Sequence, residues 1–137
     1  MKLTEAFGAR GDLEQNGVWV PIYGQTGDMC EVLLARAGGR NSAYEALLLQ
    51  LTRPHRRAIE AGYAPPSLME GILAEVFART VVKGWRGLGG ESGDIPFSPA
   101  KAKELFLEYP DFFQVVRERA VSAQTFTQAD TEAVAGN

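Results

Sequence analysis

Five glycines between residues 84 and 93, at Gly84, Gly87, Gly89, Gly90 and Gly93, interrupt a chain that reads as helix on both sides. Glycine gives up more backbone freedom on ordering than any other residue, so a helix does not propagate through such a stretch. The segment is a joint, and the fold has to be built around it. Before it, Met69, Leu73, Phe77, Val81 and Trp85 recur at steps of four with Ile72, Val76 and Thr80 alongside, which predicts a broad-faced core helix over about 67–85. Ser67 and Glu70 have the spacing of a capping box at its start. After the joint, Ser98-Pro99 offers an N-cap with proline at the first helical position, and Ala102, Leu105, Phe106 and Tyr109 line a helix over about 99–109. Pro110 ends that helix, and Asp111 is read as the cap of a last one over about 111–122 that carries Phe112, Val115, Val116 and Ala120.

Toward the N-terminus, Val18, Val20 and Ile22 alternate with Trp19, Pro21 and Tyr23, and a second apolar run from Met29 follows the turn Gly24-Gln25-Thr26-Gly27-Asp28. This is the pattern of a β-hairpin over about 17–36, with Pro21 confining its strand to a sheet edge. Tyr44, Leu47, Leu48 and Leu51 then predict a helix over about 41–61, stopped or kinked at Pro54 and closed by Gly62. From about 124 to 137 the chain is small and polar, with Phe126 and Val134 as possible anchors, and is expected to be a flexible tail. The expected architecture is one domain over 1–123, mainly α, with roughly four to five helices and an N-terminal β-hairpin, an α+β chain.

Composition narrows the function classes. With 137 residues the chain can bury a sizeable core without a staple, and its one cysteine, Cys30, points to a reducing compartment. Fourteen basic against seventeen acidic residues give a net charge of −3, which argues against a general grip on nucleic acid. No apolar run approaches the ~20 residues that span a bilayer, and no apolar segment follows Met1–Glu5. A soluble protein without a membrane or nucleic-acid partner is expected.

No chemistry-bearing motif stands out. The glycine joint lacks the lysine and hydroxyl residue that follow a P-loop, and it follows a helix where a dinucleotide turn would follow a strand. Glu91 and Asp94 lack the alternating ligand spacing of an EF-hand. His55 is the lone histidine and lies among Arg53, Arg56 and Arg57, a surface setting, and nothing would orient it toward Cys30 as a nucleophile pair. The chain is expected not to be an enzyme, and to need no metal or cofactor.

The aromatic residues carry more information. Of Trp85, Phe97, Phe106, Tyr109, Phe112 and Phe113, at least half should be plain core. Phe112 and Phe113 are adjacent and point in different directions on a helix, so both are covered only if that helix is packed on two sides or one of them meets a partner. With Ile95-Pro96-Phe97 nearby, the C-terminal half is expected to form an apolar groove for an amphipathic helix. Trp85, Ile95, Phe97, Phe106, Tyr109, Phe112 and Phe113 are the candidate partner-binding residues. Trp19 and Tyr23 are candidates for self-association of a homo-oligomer, because an isolated hairpin is marginal and must pack on something.

The order of these pieces resembles a known family. A helix, the Trp-x-Gly of Trp85 and Gly87, a Gly/Asp turn, the Phe97-Ser98-Pro99 cap and the Tyr109-Pro110-Asp111-Phe112 turn look like the tail assembly chaperones of long-tailed bacteriophages. Leu34-Ala35-Arg36-Ala37-Gly38, Tyr44 and the run from Arg53 to Arg57 extend the resemblance over roughly residues 17–123. The resemblance implies a non-catalytic protein of the host cytoplasm that binds the tape measure protein and keeps it soluble during tail tube assembly, with the tail tube protein as a possible further partner. The alternative is a stoichiometric virion component, such as a connector or tail-tip protein.

Overall fold

The computed structural model describes residues 1–8 and 10–127. Two short helices, α1 (Leu3–Phe7) and α2 (Gly11–Asn16), lead into strands β1 (Val18–Tyr23) and β2 (Met29–Leu34), which pair antiparallel. Helix α3 (Ser42–Thr52) is followed by a 3-10 turn at Arg53–His55, where Pro54 cannot continue the α-helical ladder, and then by α4 (Arg56–Ala61). Gly62 closes α4 at φ 80°, the left-handed geometry that suits a residue without a Cβ. Helix α5 spans Pro66–Val76.

The sequence expectation fails beyond this point. The helix expected over 67–85 ends at Val76; a π-helical turn, Phe77–Val81, carries the chain into a third strand, β3 (Val82–Arg86). β3 pairs with the free side of β2, so the sheet order is β1-β2-β3 and the expected hairpin is two strands of a three-stranded sheet. A further two-stranded ladder, β4 (Gly89–Gly90) with β5 (Gly93–Asp94), folds the glycine joint back on itself. Helices α6 (Pro99–Glu108) and α7 (Pro110–Val121) and a 3-10 turn at Ala123–Phe126 complete the described chain. The mainly α reading with four to five helices is therefore corrected: the described residues form more helices than that, and the strands extend well past the N-terminal hairpin.

The sheet's inner face buries Val18, Val20 and Ile22 of β1 with Cys30, Val32 and Leu34 of β2. Edge strand β1 accommodates Pro21, whose missing amide hydrogen would break a central ladder. The helices cover this face with Phe77, Phe106 and Phe113, whose rings pack stacked or edge-on at 5.4 Å (Phe77–Phe113) and 4.6 Å (Phe106–Phe113). Phe126 is fully buried, and its carbonyl accepts from the Arg10 amide at 2.9 Å, so the packed chain runs past position 123. Residues 128–137, most of the expected tail, lie outside the described residues.

Helix starts follow local chemistry unevenly. Ser98 caps α6 by accepting from the Lys101 amide at 3.0 Å, with Pro99 at the first helical position. Ser98→Ala should therefore cost about 1 kcal/mol, read as a lower urea midpoint at an unchanged slope. The Ser67–Glu70 capping box does not form, because α5 starts a residue earlier at Pro66 and Ser67 lies inside its first turn. Asp111 likewise lies inside α7, behind Pro110 and a Tyr109 N-cap.

The entry to this body is tied by charge. Glu14 is buried with its carboxylate 2.7 Å from Arg36 Nη1, and it also accepts from the Arg40 amide at 3.4 Å. Any side chain at Gly39, where φ is +54°, would run into that carboxylate.

Candidate functional site

The end of the sheet, the glycine joint and the corner between α6 and α7 enclose an open cleft of about 1090 Å³. One wall is the tip of the β1–β2 hairpin, with Tyr23 at 66% and Met29 at 47% exposure. Cys30 lies at its base, and burial pushes its thiol pKa up, so it adds neutral, apolar surface. The opposite wall is the α6–α7 corner, where Tyr109 is 54% exposed and Phe112 and Val115 are half-buried. Leu88 and Ile95, which bracket the small β4–β5 ladder, close the third side.

Proline 110 explains why this corner is open. It stops α6 and starts α7 within a residue, leaving Tyr109 in a non-helical conformation (φ −123°, ψ 79°) with its ring outside both helices. The adjacent Phe112 and Phe113 then divide. Phe113 enters the core against Phe106 and Phe77, while Phe112 touches Phe106 only at 5.8 Å and turns its other side to the cleft.

The residues singled out from sequence are accordingly split. Ile95, Tyr109 and Phe112 line the cleft together. Trp85, Phe106 and Phe113 are buried. Trp85 acts locally, since its indole Nε1 donates to the Ile95 carbonyl at 2.7 Å and its ring meets Phe97 edge-on at 4.9 Å, which pins the joint against the sheet. Phe97, half-buried, completes that anchor and does not line the cleft. Tyr23 is brought to the same cleft as the C-terminal aromatics, whereas Trp19 lies on the sheet's outer face beneath the Arg86 guanidinium, 4.1 Å from its ring centroid. Arg86 also grips Glu31 through two bonds of 2.8 and 3.2 Å, and that hydrogen bonding holds the Glu31 carboxyl below the usual carboxylate range.

Sequence reasoning missed Met29, Leu88 and Val115 as lining residues, and with them the three carboxylates of the rim, Asp28, Glu108 and Asp111. The hairpin tip and the α6–α7 corner are about 80 residues apart in the chain, and no local pattern signals that they meet. His55 borders a separate hollow beside Glu75 and Lys103, away from Cys30's cleft. Among the described residues no cluster of His, Cys, Asp and Glu is arranged to hold a metal, and no helix is long and apolar enough to cross a membrane.

The chain is a mixed α and β protein with an open cleft at one end of its sheet, and it is of phage origin. Residues 39–137 match the family model of the YdaY prophage protein, and the chain belongs to that family. The match takes in the joint and the α6–α7 corner but begins after β2, so the hairpin wall of the cleft falls outside it. Among curated proteins and among solved structures, none matches the chain.

Proposed function

We propose that this protein is a tail assembly chaperone that binds an amphipathic helical stretch of the tape measure protein in the cleft between the hairpin tip and the α6–α7 corner, without chemistry of its own. The observation that carries the reading is the cleft itself: Tyr23, Met29 and Tyr109 stay roughly half exposed or more around an apolar floor that the described residues leave unfilled. Phage origin agrees with it. A helical turn with its side chains is about 11 Å across and 5.4 Å long and fills about 500 Å³, so a cleft of about 1090 Å³ accepts on the order of two turns. Two turns give a modest grip. A long client would then be coated by many copies and released copy by copy, as assembly requires.

The test is co-expression with the long helical gene product that serves as tape measure, followed by affinity recovery. Tyr109→Asp alters an exposed ring and should leave folding intact while cutting recovered partner to under about a tenth, because a charge would then sit in the desolvated contact. Equal recovery by wild type and variant would remove the cleft from the interaction. Fixed copy number in purified virions would favour the permanent structural role instead.

A further inference from the structure

We infer that the helix held in the cleft carries lysine or arginine beside its apolar stripe; the inference rests on the client-binding reading above and gives the client a chemistry. Every formally charged side chain lining the cleft is a carboxylate: Asp28 from the hairpin turn, and Glu108 and Asp111 from the α6–α7 corner. None of the three has a cationic partner among the described residues, whereas Asp12, Glu14, Glu31, Glu60, Glu75 and Glu104 each face an arginine or lysine. The Asp28 carboxylate accepts from the Thr26 hydroxyl at 3.2 Å, a neutral donor. Asp94 and Glu91, on the ladder and turn beside the cleft, add further negative charge that no described cation pairs with.

A cleft lined by one sign of charge over apolar walls concentrates its field. An apolar ligand entering alone would strip water from three uncompensated carboxylates, and an acidic one would add repulsion. A ligand with cations flanking its apolar face offsets both costs. The same field disfavours the chain's own end, since residues 128–137 contain Asp130 and Glu132 and no lysine or arginine. The chain's own basic helix α4, which carries Arg56 and Arg57, exposes no large apolar side chain to fill the floor.

The test uses three labelled amphipathic helical peptides with one shared Leu/Phe stripe and lysine, glutamine or glutamate at the polar positions, titrated with the full chain by fluorescence anisotropy. At about 0.05 M salt the lysine peptide should bind about tenfold tighter than the glutamate peptide, and the gap should narrow toward about 0.5 M salt. In the isosteric triple variant Asp28→Asn, Glu108→Gln, Asp111→Asn the gap should fall to within about twofold; the three side chains are exposed, so circular dichroism should be unchanged. Equal binding of all three peptides, or a preference that survives in the triple variant, overturns the inference and leaves the apolar cleft standing. A preference for glutamate overturns it in favour of an acidic occupant such as residues 128–137. Self-association that the triple variant abolishes would give the cleft to a second copy. If no peptide binds, the client-binding reading falls together with the inference.

Discussion

Phe113→Asp is expected to unfold the protein, and Phe112→Asp, one residue earlier, to leave it folded. Phe113 is 5% exposed, stacks on Phe106 at 4.6 Å, meets Phe77 edge-on at 5.4 Å and carries the Arg117 guanidinium on its face at 4.5 Å. Emptying such a site costs about 3–5 kcal/mol, and a buried carboxylate adds its desolvation. Together these approach the whole stability of an ordinary domain, about 5–15 kcal/mol. Phe112 is half-buried and borders the cleft, so a charge there remains hydrated and the loss is confined to its contact with Phe106. The check is thermal and urea unfolding by circular dichroism on both variants, with soluble yield. A Phe113→Asp protein that unfolds cooperatively within about 1 kcal/mol of wild type would contradict the core placement. The pairing also decides how binding data are read: lost binding in Phe113→Asp reports unfolding, and only Phe112→Asp reports on the cleft.

How much of this was legible in the sequence depends on the range of each signal. The bend at Pro54, the cap at Ser98 and the break at Pro110 are local backbone chemistry, and each takes effect where the residue stands. The passage from α5 to β3 was not legible, for a specific reason. A bulge between Leu33 and Leu34 shifts the register, so that Val82 and Trp85, three residues apart, both face inward. A regular strand would place them on opposite faces. The bulge thus gives a strand the apolar spacing of a helix, and the run from Met69 to Trp85 reads as one continuous helical row. What decides for strand is the free side of β2, a partner about 50 residues upstream that periodicity does not register.

The site shows the same division. Sequence singles out a local oddity, the Phe112-Phe113 pair next to Pro110, but assigning each ring to core or surface requires knowing which elements cover α7. The groove expected within the C-terminal half has as its second wall the hairpin tip, with Tyr23 and Met29. In the sequence Trp85 reads as the last residue of a helical row; as a strand residue it points inward and donates its indole N–H to the Ile95 carbonyl.

The second large effect expected is at Asn41, the residue just before α3. Its side chain makes no capping bond; instead Nδ2 donates to the carbonyls of Arg36 and Thr80, both at 2.9 Å, in a site 4% exposed. One amide thereby joins the chain leaving β2 to the π-helical turn where α5 gives way to β3, and Thr80 is itself fixed by its hydroxyl on the Val76 carbonyl at 2.7 Å. Asn41→Leu keeps the branched shape with somewhat more bulk and leaves two carbonyls without their donor. At about 1–3 kcal/mol for each buried group left unpaired, a loss of about 3 kcal/mol is expected, measured by urea unfolding. Asn41→Asp should be worse at neutral pH, since an ionised carboxylate donates nothing and faces two acceptors, and this burial raises its folded pKa. A group with a raised folded pKa gains relative stability as pH falls, because the protonated form can again donate one bond. Glu31 and Asp12, whose pKa values are lowered chiefly by hydrogen bonds from Arg86 and Arg10, withdraw their contributions on acidification in wild type and variants alike, so they cancel from the difference. The gap between Asn41→Asp and wild type should therefore narrow on acidification, while the gap for Asn41→Leu, which has no proton to bind, should not change with pH. A pH-independent deficit in both variants would mean that the amide's donors are not what holds the turn.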